Sequence, residues 1–394
     1  MIDKQKTIKA DLHVHVDKNI TKEAIIKILT EAEANGVQAL CMLEHNELHL
    51  YRKDSPFIDI IKNEGVEKYY TGKLITGCEY DCVIKNAPIS KNGRDYNGNI
   101  VHIAVYGFNP YEFLKEDIYK EEIKYQNWER DIEKLFNKGK SLGLDMPPVT
   151  IFDYNGIHHV KQLYNYIMAN EERKEKFIGK FIEAGLTEKE ILGYMANDSS
   201  FIRNMFQNTY GKLHIDEDSI LTIQQVIKLA QKYNAQTVIV HPAYMLPNDD
   251  LENYVDALCS MPRVDSFKPN FWGVEGTYML NTVAETELTN KIAKTYNLEV
   301  TGGSDYQMFK NGKMYFLRDG RKFYYEPKPG FAIGQYVEKM GENTKLQIND
   351  DNMGAIDIII PEQERNVGAI KVEKKVIDKI PSLQEIMGFD VSEK

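Results

Sequence analysis

The chain has 394 residues, 42% of them hydrophobic and 27% charged, and a formal charge of −10; this excludes a disordered polymer and leaves enough apolar surface for a large folded core. The acidic balance excludes a broad basic face for duplex nucleic acid, because phosphate neutralisation needs clustered Lys and Arg. No apolar run reaches the roughly 18 to 20 residues of a membrane span, and no signal-peptide core is present. With four cysteines and no CxxC pair, reduced thiols and a cytoplasmic protein without membrane contact are expected.

Ala10-Asp11-Leu12-His13-Val14-His15 reads as a strand. Alternation sends His13 and His15 to one face, and two neutral imidazoles side by side make half of a transition-metal site. Thr21 is placed to cap a helix whose Ile25, Ile28, Leu29 and Ala32 fall at helical spacing, and Asn35-Gly36 stops it before a strand over residues 37–43. Strand, helix, strand predicts a parallel sheet, in which chemistry collects at the carboxyl ends of the strands. The second strand ends in Glu44-His45-Asn46, a third runs into Glu79, and a fourth, over residues 99–106, carries His102. Singly, a strand-end carboxylate is usually solvated and a strand histidine is usually a bonded core residue. Recurrence on successive strands points to convergence instead.

From about Tyr119 to Leu213 the pattern turns to long amphipathic helices, with Lys plus Arg equal to Asp plus Glu, 14 each, which favours a lid over a polynucleotide platform. The α/β rhythm returns with a helix over 220–233 and a buried-type strand over 237–240 that ends in His241-Pro242. Residues 271–275 read as a strand, 281–296 as a helix, and Val300-Thr301 leads into Gly302-Gly303-Ser304-Asp305, where glycine permits close backbone approach. Asp319-Gly320 between two apolar runs predicts a β-hairpin, and residues 355–360 a further strand.

The ordered set His13-x-His15, Glu44-His45-Asn46, Glu79, His102, His241-Pro242 and Gly303-Ser304-Asp305 resembles the PHP (polymerase and histidinol phosphatase) superfamily over residues 8–110 and 220–308. The resemblance implies an α/β fold, a distorted seven-stranded (β/α) barrel, with a first half over 1–118, an inserted helical lid over 119–213 and a second half over 214–310; residues 311–394, outside the resemblance, are expected to form a β-rich extension. It implies two to three divalent ions (Zn, Mn or Fe, with Mg admissible). His13, His15, Glu79 and Asp305 would hold one, Glu79 would bridge to a second on His102 and His241, and Asp17, His45 and Gln307 would hold a third. Glu79 and Asp305 would be catalytic, with Glu44 supporting the ligands from behind. The chain closes Asp-x-Gln at Gln307 where the family has Asp-x-His, and has Leu43-Glu44-His45 for Thr-Asp-His. His49 is a possible substitute ligand.

The insertion resembles that of the PHP nucleotide phosphatases. Gly156-Ile157-His158-His159 stands where that branch carries Gly-Arg-Pro-His, which makes His158, His159, Lys161 and Arg203 candidate phosphate contacts. The implied activity is metal-dependent hydrolysis of a nucleotide or small phosphorylated metabolite. Two bridged ions lower the pKa of a shared water toward about 7 and neutralise phosphoryl charge. A 5′-to-3′ exonuclease or phosphodiesterase on short nucleic acid, and a non-catalytic regulatory module with a degenerate third site, are the alternatives. The oligomeric state is left open.

Overall fold

The computed structural model describes residues 7–16, 19–154, 159–207, 211–245, 250–306, 314–318, 321–325, 328–333, 335, 346–349, 355–358 and 369–388. Asp17, His158 and Gln307 lie outside these residues, and so does the side chain of Arg203.

The first strand, β1 (Thr7–His15), is buried from Ala10 onward. The Thr21 hydroxyl accepts the Ala24 N–H to start the helix Lys22–Ala34, which buries Ile25, Ile28, Leu29 and Ala32 on the sheet. β2 (Ala39–Leu43) follows and is buried at every position, the pattern of a strand covered on both faces. β3 (Lys73–Val83), β4 (Ile100–Tyr106), the short β5 (Leu221–Thr222), β6 (Gln236–Ile239), β7 (Gly273–Tyr278) and β8 (Glu299–Gly303) continue the sheet. β9 (Met314–Arg318), β10 (Arg321–Tyr325), β11 (Leu346–Asn349) and β12 (Ala355–Ile358) form a separate sheet in the order β11-β12-β10-β9. Within it β9 and β10 pair antiparallel; the turn expected at Asp319-Gly320 lies outside the described residues. The last strand is β13 (Lys371–Glu373).

The principal sheet runs β13-β1-β2-β3-β4-β6-β7-β8, with β5 beside β3. It is a nearly closed barrel, parallel except that β4 runs against β3 and β6 and β13 runs against β1. Closure comes at the carboxyl ends, where the His15 N–H donates to the Tyr306 carbonyl at 2.8 Å. At the opposite end β13 lies along β1 and the Ala10 N–H donates to Ile370 O. Seven strands therefore make the ring and an eighth is wedged against its seam.

That wedge draws the C-terminal stretch into the barrel. Ile370, Val372, Val376, Ile377 and Ile380 pack with Ala10, Leu12, Cys41, Ile75 and Tyr106 in the apolar plug of the ring. Each fully buried aliphatic is worth about 1.5 to 3 kcal/mol, so together they rival the 5 to 15 kcal/mol that typically separates folded from unfolded chains. Removing residues 369–394 is expected to abolish cooperative thermal unfolding and raise dye binding to exposed apolar surface. A sharp, unshifted melt would show that the ring closes without them.

The helical insertion carries its own core of Ile132, Leu135, Leu163, Phe177, Phe181, Phe201 and Met205. It is fastened to the barrel by Lys124, whose ammonium lies 2.6 Å from a Glu47 carboxylate oxygen, and by buried Asp131, which accepts the Asp218 and Ser219 N–H groups at 2.6 and 2.9 Å. Among the described residues no helix is long and apolar enough to cross a membrane.

Candidate metal centre

Histidines from four strands, β1, β2, β4 and β6, converge on the carboxylate of Glu79 on β3. Glu79 is fully buried and the registers of β2 and β3 put it directly beside His45. Its Oε2 lies 3.2 Å from His13 Nε2, 3.0 Å from His15 Nε2 and 3.4 Å from His45 Nδ1. Its Oε1 lies 3.0 Å from His102 Nδ1 and 3.1 Å from His241 Nε2. Asp305 completes the ring, with Oδ1 3.1 Å from His15 Nε2 and 3.8 Å from His13 Nε2.

Local backbone devices aim these groups. Asp11, fully buried, collects four donors: the N–H groups of His13 (3.2 Å), Ser304 (2.9 Å) and Gly330 (2.6 Å), and the Ser304 hydroxyl (2.5 Å). One carboxylate thereby ties β1 to the end of β8, at the point where the β1–β2 register shifts. The Gly-Gly-Ser stretch serves the same closure, since a Cβ on Gly303 would fall 2.0 Å from His13 Cβ and 2.6 Å from a Glu275 carboxylate oxygen. His241 and Asp305 adopt φ values of 34° and 45°, a left-handed conformation costly for residues other than glycine and typical of functional sites. Asn46, at φ 56°, donates its N–H to Glu79 O at 2.7 Å and its amide to Asp81 Oδ2 at 2.9 Å.

The electrostatics are those of a charge cluster withdrawn from water. Burial alone would raise the Glu79 carboxyl, but the charge on His13 and hydrogen bonds from His102, His13 and His15 hold it well below the usual carboxylate range. Burial alone would lower His13 and His15. The Glu79 and Glu275 charges instead push His13 well up, and hydrogen bonds to Asp305 and Glu79 lift His15 to about 9. Asp305 is depressed against its burial by the His15 hydrogen bond and the His13 charge.

Nitrogen and oxygen donors of this kind suit divalent transition ions. Three overlapping sets each have their donor atoms within 4.8 Å of one another: His13, Glu79 and His241; His13, His15 and Asp305; and His15, His45 and Glu79. His13 Nε2 and His15 Nε2 approach to 3.0 Å, close enough for both nitrogens to face one cation. The sets also place His45 with His15 and Glu79.

Other expectations meet a different arrangement. Glu44, expected behind the ligands, turns away from them, because its carboxylate accepts the Leu50 N–H at 2.7 Å and lies 3.1 Å from His49 Nδ1. The same contact occupies His49. His159 is 2% exposed in the insertion core with Nε2 3.2 Å from a Glu217 oxygen, a place closed to a solvent-borne phosphate. Lys161 is held by Asp198 at 2.6 Å.

Three carboxylates of the site are absent from the sequence reading. Glu275, 1% exposed on β7, faces His13 Nδ1 at 3.2 Å and accepts the His241 N–H at 2.9 Å. A proton held on His13 Nδ1 by Glu275 leaves Nε2 free to ligate, the usual service of a carboxylate behind a metal-binding histidine. Asp81 lies 3.3 Å from His102 Nε2 and 3.6 Å from His45 Nδ1. It stands two residues from Glu79 on the same strand face, the alternation that singled out His13 and His15. Glu275 closes the strand expected over 271–275 and so carries the same signal as the other strand-end carboxylates, whereas Asp11 gives no signal in sequence. Glu275→Gln is expected to lower divalent metal affinity by about 10- to 100-fold, read by calorimetric titration. An unchanged affinity would remove Glu275 from this role.

No protein-family model matches the chain and no curated relative does. The solved structures similar to it include a Bifidobacterium adolescentis protein provisionally described as a metal-dependent phosphoesterase, at 13% identity and TM-score 0.38, and a Chromobacterium violaceum amidohydrolase with bound sulfate and no metal, at 14% identity and TM-score 0.41; each of these two matches covers 76% of this chain and 87% of the other.

Proposed function

We propose that the chain is a metal-dependent phosphoesterase acting as a phosphatase on a nucleotide or small phosphorylated metabolite. The observation that carries the reading is Glu79 itself, a fully buried carboxylate with imidazole nitrogens from separate strand ends on both of its oxygens. Such a carboxylate can bridge two ions held by His13, His15 and Asp305 on one side and by His102 and His241 on the other. Divalent ions held by these residues would acidify water and neutralise charge on a phosphoryl group.

The chain's own residues supply the rest. Asp305, ionised well below neutrality, can orient a water and take its proton, provided its Oδ1 stays on the His15 side. Access is from the edge formed by His45 and Asp81, whose side chains are 43% and 35% exposed while Glu79 is sealed. Many cations of the insertion are matched with carboxylates, as in Lys124 with Glu47, Lys134 and Arg130 with Asp218, Lys161 with Asp198 and Lys180 with Glu183. A polynucleotide track needs uncompensated cations, so the pairing supports a small substrate.

The test is phosphate release by chelator-stripped protein reloaded with Zn, Mn or Fe. p-Nitrophenyl phosphate, its bis-ester, a mononucleotide and a 5′-phosphorylated oligonucleotide are the substrates. The reading expects metal-dependent release, with the mononucleotide ahead of the oligonucleotide. Release undiminished by chelation, or none with any metal, would overturn it.

A further inference from the structure

β7 contains an irregularity whose effect falls on the metal centre. Glu275 pairs with Thr301 and Thr277 with Gly302, so Gly276 is an extra residue in β7. A regular strand turns residues three apart to opposite faces, but an inserted residue reverses the alternation beyond it and re-aims the side chains that follow. Here Glu275 and Tyr278 consequently reach the same interior. Glu275 faces His13 at 3.2 Å, and the Tyr278 hydroxyl donates to Asp305 Oδ2 at 2.8 Å. Gly276 has no room for a side chain, because a Cβ there would lie 2.5 Å from Val300 Cγ1 and 2.7 Å from Asn290 Oδ1.

Tyr278 is 3% exposed and its ring centroid lies 5.0 Å from that of His241. Its hydroxyl donates to Oδ2 of Asp305, while Oδ1 stands 3.1 Å from His15 Nε2 and 3.8 Å from His13 Nε2. The Asp305 backbone, at φ 45°, does not hold this orientation unaided, since its left-handed conformation leaves χ1 and χ2 to be set by contacts. A carboxylate free to swing can chelate through both oxygens or turn away from the ligand set. One with Oδ2 bonded to a buried phenol presents a single oxygen.

We propose that Tyr278 is a positioning residue that fixes Asp305 as a one-oxygen ligand of the ion held by His13 and His15. This rests on reading the cluster as a metal centre and does not depend on which phosphoester is cleaved. Support of this kind for a ligating carboxylate is worth about 10- to 100-fold in metal affinity.

The experiment is a calorimetric titration of the full chain with Mn²⁺ and with Zn²⁺, repeated for Tyr278→Phe, Asp305→Asn and the double variant, with a thermal melt of each metal-free protein. The expected result is a loss of about 10- to 100-fold in affinity for one equivalent of metal in Y278F, with the other equivalent unchanged. The same Phe substitution should then have no further effect in the D305N background, because residues acting through one another are not additive. A structural role alone would lower the melting temperature and weaken all equivalents together. Unchanged affinity in Y278F, or losses that add in the double variant, would overturn the inference. Wild-type protein that takes up no metal would overturn it too, and that outcome is recognisable because the failure then lies in the parent chain.

Discussion

Glu79→Gln is expected to empty the centre. The substitution keeps the shape of the side chain but exchanges one acceptor oxygen for an amide donor and removes the charge, so the cluster loses the anion on which its imidazoles converge. In the parent chain five imidazoles lie within 3.4 Å of that carboxylate. The amide nitrogen of Gln must face some of them, and it cannot ligate. Metal-assisted charge neutralisation is worth several kcal/mol in phosphoryl transfer, so hydrolysis should fall by about 10³-fold or more, at 1.36 kcal/mol for each factor of ten. Elemental analysis of E79Q should show less than one equivalent of divalent metal. Retention of the parent stoichiometry would mean that Glu79 is not the bridge.

Asp11→Ala is expected to be the most destabilising single change near the site. It strands the His13, Ser304 and Gly330 N–H groups, each now bonded to the Asp11 carboxylate in a buried position. A buried donor left without a partner costs about 1 to 3 kcal/mol, so the total reaches about 3 kcal/mol or more, a large share of a typical folding free energy. Because these donors bring β1 against the end of β8, metal affinity should fall along with stability. Denaturant unfolding checks the first and titration the second. A loss under about 1 kcal/mol would show that water or neighbouring oxygens take over the three donors.

The residues legible in the sequence are those that advertise themselves by type and by place. His13, His15, His45, Glu79, His102, His241 and Asp305 each end or interrupt an apolar run, and the structure brings the five imidazoles to the Glu79 carboxylate and Asp305 against His15 and His13. The capped helix after β1 and the β9–β10 hairpin were equally readable, because Thr21 and Asp319-Gly320 carry local signals that tertiary packing does not override. What escaped is long-range. Asp11 works through Ser304 and Gly330, more than 290 residues away in sequence, and no local pattern encodes that pairing. Glu44 shows the converse: adjacent to a ligand in sequence, it caps the Leu50 N–H because the loop after β2 doubles back on it. The final strand β13 reads as an extension by its position near the C-terminus, yet its neighbours Ile370, Val376 and Ile377 fill the base of the ring. Apolar residues show that a segment is buried, and only the fold shows where.

The metal stoichiometry of the wild-type chain tests the centre most directly. Protein stripped with chelator and titrated with Mn²⁺ or Zn²⁺ at pH 7 should take up at least two equivalents, with protons released as His13 and His15, both raised above their ordinary range in the metal-free cluster, give way to the cation. Uptake of no metal, or uptake that persists unchanged in E79Q, would contradict it.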